Sequence, residues 1–231
     1  MTARPVPRPE QTRVMYAVMT AEPLATDDLI PPPSPELLRR YGTSEVALRR
    51  LRSRHHQTLL LRTADAEGAA FAQRDARVEA LSIAEDHDGV VIDLAVPRVV
   101  DGRPGEVSLA HATQWYVVDY AELGSGRLAT VGLVSFGLPE IVVEGVEPDQ
   151  HAMLGAVLAG LVHRVIAEWP ANDPVGRATV TLRDIAYGLG DPAAAQTPND
   201  RTIDVDIAYD PAAEHLVVRL LGDPAVTLFA P

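Results

Sequence analysis

Hydrophobic and polar positions change period several times along the chain, and each change marks an element. Val14 to Thr20 alternates enough for a strand. After Pro31-Pro32-Pro33, Ser34-Pro35-Glu36 opens a short helix with an N-cap and a proline at its first position. Ser44 caps a second helix running to about Arg54, and Gln57 to Arg62 reads as a buried strand. Ala69, Ala72, Ala76, Ala80 and Ile83 then keep helical spacing from Gly68 to about Glu85, and Asp88-Gly89 turns the chain into a strand over Val90 to Val96. Pro97 to Glu106 reads as a loop.

The second half begins as a meander. Strands are expected at Trp115–Ala121, Leu128–Ser135 and Ile141–Val146, with Gly124-Ser125-Gly126 as the first turn. The best helix follows, from Asp149 to Trp169, and Pro170 to Pro174 ends it. Three more strands are expected near Ala178–Ile185, Thr202–Tyr209 and Leu216–Leu221, with residues 188–200 as a flexible loop. The fold class is therefore α+β: a mostly antiparallel sheet with helices packed on one side. The expected organisation is a disordered tail at residues 1–13, an N-terminal α/β half at 14–104 and a C-terminal half at 105–231. The two halves are either related α/β layers or parts of one continuous domain.

Composition removes much chemistry. The chain has neither lysine nor cysteine, and all twenty basic residues are arginine. That excludes Schiff-base and pyridoxal chemistry, a phosphate-loop lysine, thiolate catalysis, disulfides, iron–sulfur clusters and cysteine zinc sites. Charge is uneven: residues 1–62 hold ten arginines and six acids, residues 63–231 ten arginines and twenty-six acids. The acidic remainder argues against nucleic acid and favours solubility or a basic partner. The N-terminus has no apolar signal region and the most apolar helix carries His163, Arg164 and Glu168, so a cytoplasmic location without a membrane span is expected.

Candidate chemistry is sparse. Gly132 and Gly137 have phosphate-loop spacing, but Leu138-Pro139 stands where lysine and serine are needed. Ser135 lacks the first glycine of a nucleophile elbow, since Leu133 occupies that position. The expected structure is strand, glycine–proline corner, strand. His55 and His56 point to opposite faces of a strand, Asp86-His87-Asp88 lies at a helix end, and His151 and His163 are too far apart to chelate together. Asp204 and Asp206 share the outward face of a strand, where they read as a half-exposed sheet surface or a carboxylate pair. No metal or other cofactor is expected.

One basic island, Arg39, Arg40, Arg49, Arg50, Arg52 and Arg54, offers a candidate interaction patch or an ion-pair network with the acidic remainder. On the helix at 149–169, Ala152, Gly155, Ala156, Ala159 and Gly160 form a strip of small residues beside a wide apolar stripe. That strip predicts close approach of another backbone: the helix at 68–85, a second copy in a homodimer, or a protein partner.

The block Thr130-Val131-Gly132-Leu133-Val134-Ser135-Phe136-Gly137-Leu138-Pro139-Glu140, followed by an apolar helix, resembles a pattern in a group of actinobacterial proteins. The resemblance spans residues 55–169 and implies a shared fold, bringing no activity, substrate or catalytic residue with it. Families of this look suggest immunity or accessory proteins, by analogy of fold alone. The functional expectation is a non-enzymatic protein-binding factor of that type. The alternative is a hydrolase using histidine and carboxylates, with a divalent cation.

Overall fold

Strand β1 (Thr12–Thr20) alternates buried and exposed side chains before becoming buried on both faces, as a central strand covered from two sides must. It pairs antiparallel with β2 (His56–Ala64) and with β3 (Val90–Asp93), and β3 pairs antiparallel with β4 (Arg98–Val100). The sheet order is β2-β1-β3-β4. Helix α3 (Ala69–Asp86) covers one face, where Ala76, Ala80, Leu81 and Ala84 meet Val14, Val18, Val91 and Val100. The other face takes α1 (Pro35–Arg40) and α2 (Glu45–Leu51), whose Leu38 and Leu48 pack on Ala17, Met19, Ile92 and Val99. Helices thus cover both faces of this sheet. The two short helices start where local chemistry dictates: the Ser34 and Ser44 hydroxyls accept from the N–H groups of Leu37 and Ala47.

The computed structural model describes residues 5–24, 30–120 and 126–229, so Gly124 and Ser125 of the expected turn lie outside the described residues. The chain divides into two compact units, residues 10–107 and residues 108 onward joined by residues 5–9. Residues 5–13 of the expected tail make definite contacts. Val6 is buried and its N–H donates to Asp173 (2.8 Å), the Arg8 guanidinium donates to the Pro170 carbonyl (2.6 Å), and β1 starts at Thr12.

The C-terminal unit holds β5 (Val117–Asp119), β6 (Arg127–Val131) and β7 (Glu140–Glu144), then α4 (His151–Glu168). Next come β8 (Gly176–Thr181), α5 (Leu182–Leu189), β9 (Thr202–Asp210), β10 (His215–Leu220) and α6 (Pro224–Thr227). The order β5-β6-β7-β10-β9-β8 is antiparallel except where β10 joins β7 in parallel. Helix α4 carries the chain from β7 to the far edge at β8, and two antiparallel steps bring it back beside β7. With two sheets, both mostly antiparallel, the fold is α+β. Helix α4 is long and apolar enough to cross a membrane by length and composition, and half of it is buried inside its unit.

Several expected elements differ, three of them in kind or with a clear local cause. The strand placed at Ala178–Ile185 stops at Thr181, because Thr181 and Asp184 form a reciprocal capping box that starts α5. Part of the expected loop at 97–106 forms β4, which is only three residues long. The strand placed at Leu128–Ser135 ends at Val131, and Leu133–Phe136 is a 3-10 turn.

Candidate functional site

The early arginines are largely tied down. Arg39 binds Glu45 (2.6 Å), Arg50 and Arg54 share the Asp88 carboxylate, and Arg40 lies over the Tyr41 ring. Arg49 and Arg52 are exposed. Surface pairs of this kind contribute little to stability, because water screens them. They hold the end of α3 to α2 and organise the island without gathering it around one point.

The glycine-rich block does the opposite of opening a phosphate site. Glu140 turns its own carboxylate into the turn: Oε1 accepts from the N–H groups of Gly132 (2.7 Å) and Val134 (3.5 Å), and Oε2 accepts from the Thr130 hydroxyl (2.7 Å). Thr130 in turn accepts from the Ile141 N–H (2.8 Å). Burial holds the Glu140 carboxyl above the usual range, against the pull of these donors. The N–H groups a phosphate would need are occupied by the protein itself. Ser135 is 1% exposed, so its hydroxyl cannot meet a substrate.

The histidines and outward carboxylates scatter. His163 donates Nδ1–H to the Ala110 carbonyl (3.0 Å) and stacks on Tyr187, while His151 lies beside Tyr120. Asp204 accepts from the Thr179 hydroxyl, and Asp206 pairs with Arg219 on the outward face of β9. Among the described residues no three His, Asp or Glu side chains gather as metal ligands.

A buried polar row in the N-terminal unit escaped the sequence reading. Tyr16, Asp93 and Arg98 stand opposite one another across β1, β3 and β4. Gln73 and Arg77, one turn apart on α3, meet this row, and the Gln73 amide donates to the Tyr16 hydroxyl (2.9 Å). Asp93 Oδ1 accepts from the N–H groups of Ala95 and Val96, which closes the β3–β4 hairpin. Burial raises the Asp93 carboxyl, opposed by the Val96 N–H and by the charges of Arg77 and Arg98. Burial and the Asp93 charge both raise the Tyr16 hydroxyl, and burial followed by Arg77 lowers Arg98. No sequence signal brings these residues together; only strand register does.

A cleft of about 430 Å³ lies in the same unit, between α2, the end of α3 and the loop after β4. Arg50, Glu85, Asp88, Asp101 and Arg103 ring it, and none of Tyr16, Gln73, Arg77, Asp93 or Arg98 lines it. The perturbed groups of the buried row therefore do not line this cleft.

The small-residue strip of α4 has two fates. Its C-terminal part meets α5. A Cβ on Gly188 would lie 2.1 Å from the Ala159 carbonyl oxygen, and one on Gly160 would lie 2.8 Å from Val180 and 2.9 Å from the Ile185 nitrogen. Two backbones touch there because neither glycine has a side chain. The N-terminal part stays open: among the described residues nothing lies within 4 Å of a Cβ on Gly155. Ala152, Met153 and Ala156 instead form a shallow apolar groove with Ala225 and Phe229 from the α6 region. Val226 beside it is 67% exposed. The chain matches no known protein-family profile, no curated protein and no solved structure.

Proposed function

We propose that this protein is a non-enzymatic binding factor, of immunity or accessory type, which holds a protein partner on the open face of α4 and α6. The observation that carries this reading is the apolar groove of Ala152, Met153, Ala156, Ala225 and Phe229 beside a helix glycine with nothing packed on it. A glycine inside a helix costs up to about 1 kcal/mol relative to alanine. At Gly160 the contact with α5 offsets that cost, whereas at Gly155 no contact among the described residues does so. The hydrogen bonds of the buried polar row and of Glu140 serve the fold, and none of these residues lines the cleft between α2 and the end of α3.

A photo-crosslinking residue placed at Ala156, with a control at exposed Leu189, tests the proposal in cells of the source organism. A discrete conjugate with a second polypeptide, formed from position 156 and absent from 189, is the expected result. The same products from both positions, or none from either, would contradict it.

A further inference from the structure

Resting on that reading, we infer that the partner presents a basic amphipathic helix to the α4–α6 groove. The groove has the form that takes apolar side chains from one face of a helix: it is shallow, open and lined by small residues with Met153 and Phe229 as its large members. The charged residues nearest to it along the chain are acidic. Asp149 precedes α4 by two residues and stands one turn from Ala152 and Met153, Glu147 lies just before it, and Asp223 caps α6. All three are exposed. No arginine occurs between Arg127 and Arg164, and none follows Arg219. The segment from residue 108 onward has sixteen carboxylates against six arginines, so the wider field has the same sign.

A second copy of this chain fits poorly, because a symmetric contact would bring two sets of these carboxylates together around one apolar patch. A helix with leucine-like residues on one face and lysine or arginine at its margins satisfies both features. The apolar face fills the groove and the cations meet Asp149, Asp223 and Glu147.

Methionine methyl NMR reads the groove directly, since Met153 lies in it while Met15 and Met19 belong to the N-terminal unit. The probe is a short synthetic peptide of leucine and lysine at helical spacing, compared with the same peptide carrying glutamate for lysine. The expected result is a saturable shift of Met153 alone, at least about tenfold weaker with the glutamate peptide and about tenfold weaker at high salt. Phe229→Ala should abolish it. Asp149→Asn with Asp223→Asn, which keeps an N-cap at 223, should weaken it several-fold.

Equal affinity for both peptides, or equal movement of Met15, overturns the inference. So does dilution-dependent movement of Met153 in the protein alone, with a dimer by sedimentation, which assigns the groove to a second copy. If position 156 crosslinks to a protein partner and the leucine–lysine peptide leaves Met153 unmoved, the docking reading stands and the basic helix falls. If neither occurs, both fall.

Discussion

The two halves of α4 carry the same small-residue pattern and meet different fates. Around Ala159 and Gly160 the helix is closed by α5, with Gly188 against the Ala159 carbonyl. Around Ala152, Gly155 and Ala156 it is open. Small residues permit close approach; they do not supply the neighbour. One half found its neighbour within the chain because the capping box at Thr181 turned the next segment into a helix. The other half keeps the permission and lacks such a contact among the described residues, which is why we propose a binding face there.

The comparison can be broken at several points. The largest effect is expected at Gly188. Alanine there puts a methyl into the Ala159 carbonyl, where backbone must move, and should cost about 3 kcal/mol or more in denaturant unfolding. Near-parent stability would mean that the two helices are not in backbone contact.

Glu140 is a second place where the protein fills its own opening. Glu140→Ala leaves the Gly132 N–H and the Thr130 hydroxyl without their acceptor and should cost about 2–4 kcal/mol. A loss under about 0.5 kcal/mol would show that the turn does not need its carboxylate.

The buried row gives a smaller, pH-dependent effect. Because Asp93 has a raised pKa in the folded state, the folded chain takes up its proton before the unfolded chain does as the pH falls. The stability of the parent relative to Asp93→Asn should therefore be constant at pH values above the folded pKa. It should rise as pH falls through that value towards the ordinary carboxylate range. A flat or falling difference in urea midpoints across that range would contradict the assignment.

The smallest effect has the opposite sign. Gly155→Ala should stabilise the protein by about 0.5–1 kcal/mol, because it removes backbone freedom from the unfolded chain and meets nothing in the folded one. A loss of stability in thermal unfolding would place a neighbour over the open half.

What was legible in the sequence was local. Ser34 and Ser44 announce their helices, and the alanine spacing of 69–83 and the apolar stripe of 149–169 announce theirs. Helix α5 was missed because Ala178-Thr179-Val180-Thr181 reads as a strand and runs straight into Leu182 and Ile185. The signal that marks the break, Thr181 followed three residues later by Asp184, was present. The three residues of β4 were too few to show a period among prolines and glycines. The Tyr16–Asp93–Arg98 row and the Glu140 clasp were not legible at all, since each depends on strands meeting in one register. The strip on α4 was visible, but its division into closed and open halves depended on finding α5.

The most direct test places the same large side chain on each half. Gly155→Leu and Gly160→Leu differ by five positions on one helix, and denaturant unfolding of both variants compares their surroundings without reference to any partner. Gly160→Leu should lose about 3 kcal/mol against Val180 and Ile185, while Gly155→Leu should be as stable as the parent or slightly more so. Equal losses at the two sites would mean that α4 is covered along its whole length, and the proposed binding face would not exist.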